Sequence, residues 1–335
     1  MTYSNDQKYG WEDMEFKLSL MIFPLIFSTL DKGTLTKKEG FNILNFFLIG
    51  CVAGTLLLLG HSWYKQTWNH LDHAFYYGNL SWFFHSTYLS MYLAFSVAII
   101  TWKIIIGEVR IRPLFKILLI LLAIYFLILI ILLSSKAGLL SLVLVMVFFS
   151  ALLIIKKKNW ITGFIFLVTS LLILYLGLQF FPYASGRILA AGKSLSGNSA
   201  MKSDNAESTA ERIQIWKSGL EIIREHPFFG TGTGDVKDEL LLKYNENNIK
   251  PAFEKKLNAH NQYIQTCISV GIIGFLLLVG MMFLPIFPAI RQEQYLYVVF
   301  LLIFALNMAF ESMLEIQAGV VFYAFFNAFF FHARK

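Results

Sequence analysis

Nine apolar runs divide this chain and constrain its fold more than any other feature. They cover roughly residues 16–30, 41–60, 83–106, 114–133, 137–155, 160–181, 262–288, 294–310 and 317–332. Most reach the roughly 20 residues a helix needs to cross a bilayer; the first and last are shorter. The polar links between most of them are short, so neighbouring helices run antiparallel. Composition agrees: of 335 residues, 57% are hydrophobic and only 15% charged, where a soluble domain would carry about 25% charge. Nothing resembles the short alternating strands of a membrane β-barrel. The expected fold class is an all-α polytopic membrane protein of about nine transmembrane helices with one large helical loop. It divides into N-terminal membrane helices over residues 1–181, a loop over 182–261, and C-terminal membrane helices over 262–335.

A formal net charge of +7 would suggest nucleic acid in a soluble chain. Here the basic residues lie mostly between apolar runs and read as topology signals, so no nucleic-acid partner is expected. One set of loops holds Lys32, Lys37, Lys38, Arg110, Arg112, Lys116, Lys156, Lys157, Lys158, Arg291, Arg334 and Lys335. The alternate set is poorer, with Lys8, Lys17, Lys65 and Lys136. The richer set is therefore cytoplasmic and the 182–261 interval lies outside. Nine crossings then place a polar, uncleaved N-terminus outside. That unusual placement suggests either a truncated start or a first segment that does not span. Cys51 and Cys267 fall inside apolar segments and read as packed thiols.

The outer interval has two parts. Residues 184–207 are rich in Ser, Gly, Ala and Asn and read as a flexible linker. Ser208 and Glu211 then fit a capping box, opening a helix with Ile213, Trp216, Leu220 and Ile223 on one face. Pro227 stops that helix. Gly230, Gly232 and Gly234 give a turn, and residues 235–246 read as a second short helix. The turn resembles a phosphate cradle only loosely, lacking both the P-loop lysine and a preceding strand, and its plain reading is a structural turn.

Several residues here carry chemistry. Arg212 lies in the first turn of the loop helix, where the dipole favours acids instead. Its guanidinium either holds a phosphate through paired hydrogen bonds or is a solvated surface group. His260 precedes a membrane helix and either accepts a proton from a hydroxyl or caps and satisfies local structure. Lys136, between two long apolar runs, either serves an anion site or snorkels to the interface. His85, Tyr88 and Glu311 open or close apolar runs on the outer side, and Arg224 closes the loop helix; interfacial solvation is their plain alternative. No HExxH, CxxC pair or acidic cluster suggests a metal.

The order of these motifs is more specific than any one of them. ERIQIWKSGLEIIREHPFFGTGTGD, then about 25 residues, then HNQYIQTCISVGIIGF, closely resembles the O-antigen ligase/polymerase superfamily. SSKAGLLSLV, HSTYLSMYLAF and ESMLEIQAGVVFYAFF add to the likeness, which runs from about residue 75 onward and is similar to Bacteroidetes-like members. The resemblance implies a multi-pass inner-membrane glycosyltransferase with its large loop in the periplasm. Such enzymes move a glycan from undecaprenyl diphosphate to lipid A-core or another glycan, without metal, nucleotide or other cofactor. It further implies His260 and Arg212 as catalytic residues, Arg212 and Lys136 as diphosphate-binding residues, and His85, Tyr88, Arg224 and Glu311 as candidates for substrate contact. Lys136 stands where the family usually has Arg, keeping the charge without the bidentate geometry. Family members commonly carry further N-terminal membrane helices. Two other readings stay open: a non-catalytic, truncated family member, and a membrane transporter of lipid-linked glycan. A transporter would gather polar residues near mid-membrane, whereas here they gather at one outer face.

Overall fold

The computed structural model describes residues 4–31, 34–106, 112–182, 185–186 and 209–333. Among these, every regular element is helical. In chain order they are α1 (Gln7–Lys17), α2 (Ser19–Ser28), α3 (Lys37–Trp68), α4 (Tyr77–Leu80), α5 (Ser86–Ile105), α6 (Pro113–Leu132), α7 (Lys136–Ile155), α8 (Trp160–Phe180), α9 (Thr209–Glu225), α10 (Val236–Glu246), α11 (Lys250–Glu254), α12 (Gln262–Phe283), α13 (Ile286–Arg291), α14 (Tyr295–Met308) and α15 (Gln317–His332). A 3₁₀ turn, Met313–Glu315, precedes α15.

Six described helical stretches are long and apolar enough to cross a membrane: Lys37–Trp68, Ser86–Ile105, Pro113–Leu132, Lys136–Ile155, Trp160–Phe180 and Gln262–Arg291. The other three apolar runs form shorter helices of 10, 14 and 16 residues, α2, α14 and α15. The proposed linker and the Ser208 cap lie outside the described residues, apart from Ser185 and Gly186. Lys32, Arg110, Arg334 and Lys335, which entered the charge count, do too.

The chain forms two compact units. One comprises Lys32–Leu189 with Val298–Leu306; the other comprises Met1–Asp31, Ala190–Tyr297 and Asn307–Lys335. In the first, local signals set the helix starts. Thr36 and Glu39 form a full capping box on α3, Pro113 occupies the first turn of α6, and Asn159 caps α8. Helix α5 is buried along most of its length and packs against α3, α6 and α7. It is richer in Ser and Thr than its neighbours. A Cβ on Gly138 of α7 would collide with Ser90 of α5. Small residues let the two backbones approach, which is how helices associate where lipid removes any hydrophobic preference for the interior. The more apolar α6 leaves Leu114, Phe115, Ile117, Leu118 and Leu121 exposed.

In the second unit, α2 runs alongside α15 in the same direction. Phe23 and Phe27 meet Phe325 edge-on at 5.5 and 5.8 Å, and Phe27 also reaches Phe329 and His332. The loop helices enclose a core of Ile215, Ile222, Val236, Leu240, Tyr244 and Ile268. The buried stripe of α9 is Ile215, Ser218, Gly219 and Ile222, and Leu220 is 47% exposed. This corrects the face expected from apolar spacing, which included Leu220. The reason is Gly219: its missing side chain admits Ile264 of α12, whose Cγ2 would lie 2.7 Å from an added Cβ. Closest approach, and not hydrophobicity alone, chose the face. Trp216 and Ile223 flank the stripe, half-buried against the same core.

Helix α12 is broken at Gly271, which takes φ +68°. The Gly230–Gly234 turn docks there. Thr231 N–H donates to Ile268 O at 2.8 Å, Gly232 N–H to Ser269 O at 2.9 Å, and Ile272 N–H to Pro227 O at 3.0 Å. Gly230 and Gly232 hold φ of +67° and +99°, and side chains at Gly230 or Gly271 would collide with facing backbone. The glycine turn is therefore structural, as its sequence suggested.

Candidate active site

His260, Arg212 and Glu311 come together within the second unit. His260 lies two residues before the start of α12 and is buried, with φ +45°. A non-glycine residue in the left-handed region is held there by its surroundings, and those surroundings are specific. Asn261 caps α12, its Oδ1 accepting from Ile264 N–H at 3.1 Å, while its Nδ2 donates to Ala309 O at 3.1 Å. Trp216 Nε1 donates to Ala259 O at 3.0 Å, and Ala259 N–H donates to Gln265 Oε1 at 3.1 Å. His260 N–H donates to Asn258 Oδ1 at 3.0 Å. The Ala259 carbonyl is thus tied to α9 and the Ala259 N–H to α12.

The ring's Nδ1 lies 2.8 Å from Glu311 Oε1. An ionised carboxylate only accepts, so the shared hydrogen belongs to Nδ1 and Nε2 is left as the basic atom. Glu311 is itself buried. Its Oε2 stands 3.5 Å from Arg212 Nη2, and Arg212 Nη1 donates to Phe310 O at 2.5 Å. The Arg212 side chain is 18% exposed, so the solvated-surface reading does not hold. Three charge-bearing groups share one buried junction: a guanidinium, a carboxylate and an imidazole.

A second polar chain runs beside the first. Gln262 Nε2 donates to Glu315 Oε1 at 2.9 Å, and Gln262 Oε1 accepts from Leu314 N–H at 2.6 Å. Lys17 lies 2.8 Å from Asp13 and 3.3 Å from Glu315. Burial and then the neighbouring Glu315 charge raise the Asp13 carboxyl to about 6, against the pull of Lys17. At its other end the N-terminal segment is held by Asp235, whose oxygens accept from Asn5 N–H at 2.8 Å and Asp6 N–H at 2.8 Å. Burial alone would raise the Asp235 carboxyl, but those backbone donors leave it lowered. Helix α1 thus belongs with the loop helices and the turn that carries Glu311.

Of the remaining candidates, one shares this unit and three belong to the other. Arg224 is exposed, twelve residues along α9 from Arg212, about 18 Å by helical rise, so it is not part of this junction. Lys136, His85 and Tyr88 belong to the first unit. Lys136 is half-buried at the start of α7, behind Ser134 in the left-handed region at φ +50° and the capping Ser135. His85 caps α5, its ring accepting from Thr87 N–H at 3.4 Å. Tyr88 is buried, edge-on to His85 at 6.2 Å. The Ser90–Gly138 approach puts the first turns of α5 and α7 side by side, so these three mark one end of that unit. Among the described residues, no group of three or more His, Cys, Asp or Glu could hold a metal ion.

Sequence reasoning did not find the supporting roles of Asn258, Gln262, Gln265 and Lys17. One signal was available: four amides, Asn258, Asn261, Gln262 and Gln265, crowd the start of an apolar run, where each must find partners.

Two comparisons bear on this arrangement. The family model for O-antigen ligases matches residues 121–279, a span that contains Arg212, His260 and the docked glycine turn. A stretch of 94 residues is 31% identical to an uncharacterized protein of Haemophilus influenzae (strain ATCC 51907 / DSM 11121 / KW20 / Rd), covering 27% of this chain and 23% of that protein. The match thus spans about a quarter of that relative's length.

Proposed function

Starting from the chain's membership of the O-antigen ligase/polymerase superfamily, we propose that it transfers a glycan from undecaprenyl diphosphate to a hydroxyl of lipid A-core or of another glycan. The reaction runs on the periplasmic face of the bacterial inner membrane. The observation that carries this reading is the buried contact of His260, Glu311 and Arg212 where the loop helices meet α12 and the turn after α14.

In this reading His260 Nε2 takes the proton of the acceptor hydroxyl as its oxygen attacks the anomeric carbon. The bond from that carbon to the diphosphate oxygen breaks, and undecaprenyl diphosphate leaves. Glu311 holds the imidazole tautomer and balances the positive charge it gains, as a carboxylate does behind many catalytic histidines. Arg212 faces the departing diphosphate with its positive charge, stabilising charge that grows in the transition state. A cationic side chain carries the work that a divalent metal does elsewhere.

The test is complementation in a strain lacking the chromosomal copy. Arg212→Ala and His260→Ala, each present in the membrane at wild-type amount, are expected to leave surface glycan unattached or unpolymerised. Normal surface glycan from both variants would show the site to be wrong. Accumulated polymer length against lipid A-core attachment separates polymerase from ligase.

A further inference from the structure

The loop does not stand clear of the bilayer: we propose that its α9–α10 turn inserts Phe228 and Phe229 among the acyl chains of the leaflet on that side. Both side chains are 66% exposed, and both are large and apolar. Their position is fixed by main chain. The Phe228 carbonyl packs onto Gly271, and Pro227 O accepts from Ile272 N–H at 3.0 Å. The pair therefore sits at the break in α12, about 13 Å along that helix from Gln262.

The surface of α12 changes at the same point. Before the break, α9 covers the helix through Gly219 and Ile264. After it, Ile272, Ile273, Leu276 and Leu277 are 40%, 49%, 61% and 71% exposed, as expected of a helix facing lipid. The main chain that carries Phe228 and Phe229 is joined to α12 where that apolar strip begins. The preceding residues, Arg224, Glu225 and His226, are exposed and polar, suited to the headgroup layer. Aromatic rings below and charges above are the pattern of an interfacial anchor.

Part of the backbone at the break is equipped for this depth. Irregular chain is tolerated near hydrocarbon only where its polar groups are satisfied by protein. The hydrogen bonds of Thr231 and Gly232 to Ile268 and Ser269, and of Ile272 to Pro227, do this on both sides of the break. Acyl chains are the committed occupant because the strip continues down a membrane helix. A second copy or a soluble partner would have no reason to follow it. The anchor would set the height of α9, and with it of Arg212, above the membrane, and it stands whether or not the chain transfers glycans.

The experiment places an environment-sensitive bimane at Phe228→Cys in full-length protein with Cys51 and Cys267 replaced by Ser, reconstituted in phosphatidylcholine vesicles. Lys217→Cys, exposed on α9, is the reference, and Phe229→Cys repeats the readout should the first variant fold poorly. The expected result is several-fold stronger quenching by lipids bearing a nitroxide near the headgroup than at Lys217→Cys, with several-fold weaker quenching by aqueous iodide. Equal iodide quenching at both positions would overturn the proposal. So would a shielded probe that lipid nitroxides do not quench, since protein would then cover it.

Discussion

The Nδ1 atom of His260 and the Oε1 atom of Glu311 stand 2.8 Å apart although 51 residues separate them. The same carboxylate reaches Arg212 through its other oxygen at 3.5 Å. Glu311 is thus the hinge of the site: it is the group that places the loop's imidazole and the loop's guanidinium against one another. Glu311→Gln keeps the shape but removes the charge and offers an amide that can donate to Nδ1. We expect glycan transfer to fall by on the order of 10-fold to 100-fold with membrane-inserted amounts unchanged. Surface glycan quantified against immunoblotted protein checks this.

Lys17 neutralises two carboxylates at once, Asp13 and Glu315. Lys17→Met leaves both without their cation and should destabilise the second unit by more than about 1 kcal/mol. Adding Glu315→Gln removes part of the strain, so the double variant should melt above the Lys17→Met single. Thermal unfolding of purified protein in detergent measures the cycle.

Asp13 supplies a pH dependence of known sign. Its folded carboxyl is raised to about 6, above the roughly 3.9 of an unperturbed aspartate. A raised acid stabilises the fold below its unfolded value, and that contribution is lost as pH rises through about 6. The wild type should lose stability relative to Asp13→Asn between pH 4 and pH 6, by several degrees in melting temperature. Curves that stay parallel across that window would contradict the assignment.

Gly271 takes φ +68° and faces the Phe228 carbonyl with no room for a side chain. Gly271→Ala incurs both backbone strain, about 1–3 kcal/mol, and a collision. The docked turn should separate from α12, exposing Pro227–Gly232 to protease. Faster cleavage there, mapped by mass spectrometry, is the expected result.

Residues that signal locally were readable from sequence. Pro227 ended α9, the glycines formed a turn, and residues 235–246 became α10, Val236–Glu246. Each depends on a preference that a residue carries wherever it stands. The partner of His260 was not readable, because a glutamate at the end of an apolar run looks the same whether it faces water or an imidazole. The buried face of α9 was misread for a related reason. A glycine scores as weakly apolar in a periodicity argument, yet Gly219 marks the contact because of what it lacks. The attachment of α1 was equally hidden. Asp235 holds it through the backbone N–H groups of Asn5 and Asp6, 230 and 229 residues away, and backbone donors have no sequence signature. Nine apolar runs were visible, but six of the described helical stretches have the length and composition of a full crossing.

The central claim is that His260 and Arg212 serve transfer from a lipid diphosphate. Its most direct measurement uses purified protein in vesicles with an undecaprenyl-diphosphate-linked glycan and an acceptor glycan, following released undecaprenyl diphosphate by mass spectrometry. Wild type should release it in step with acceptor modification. His260→Ala should slow both by on the order of 100-fold or more, and Arg212→Ala should do the same while the protein stays folded. Undiminished release by both variants would contradict the account.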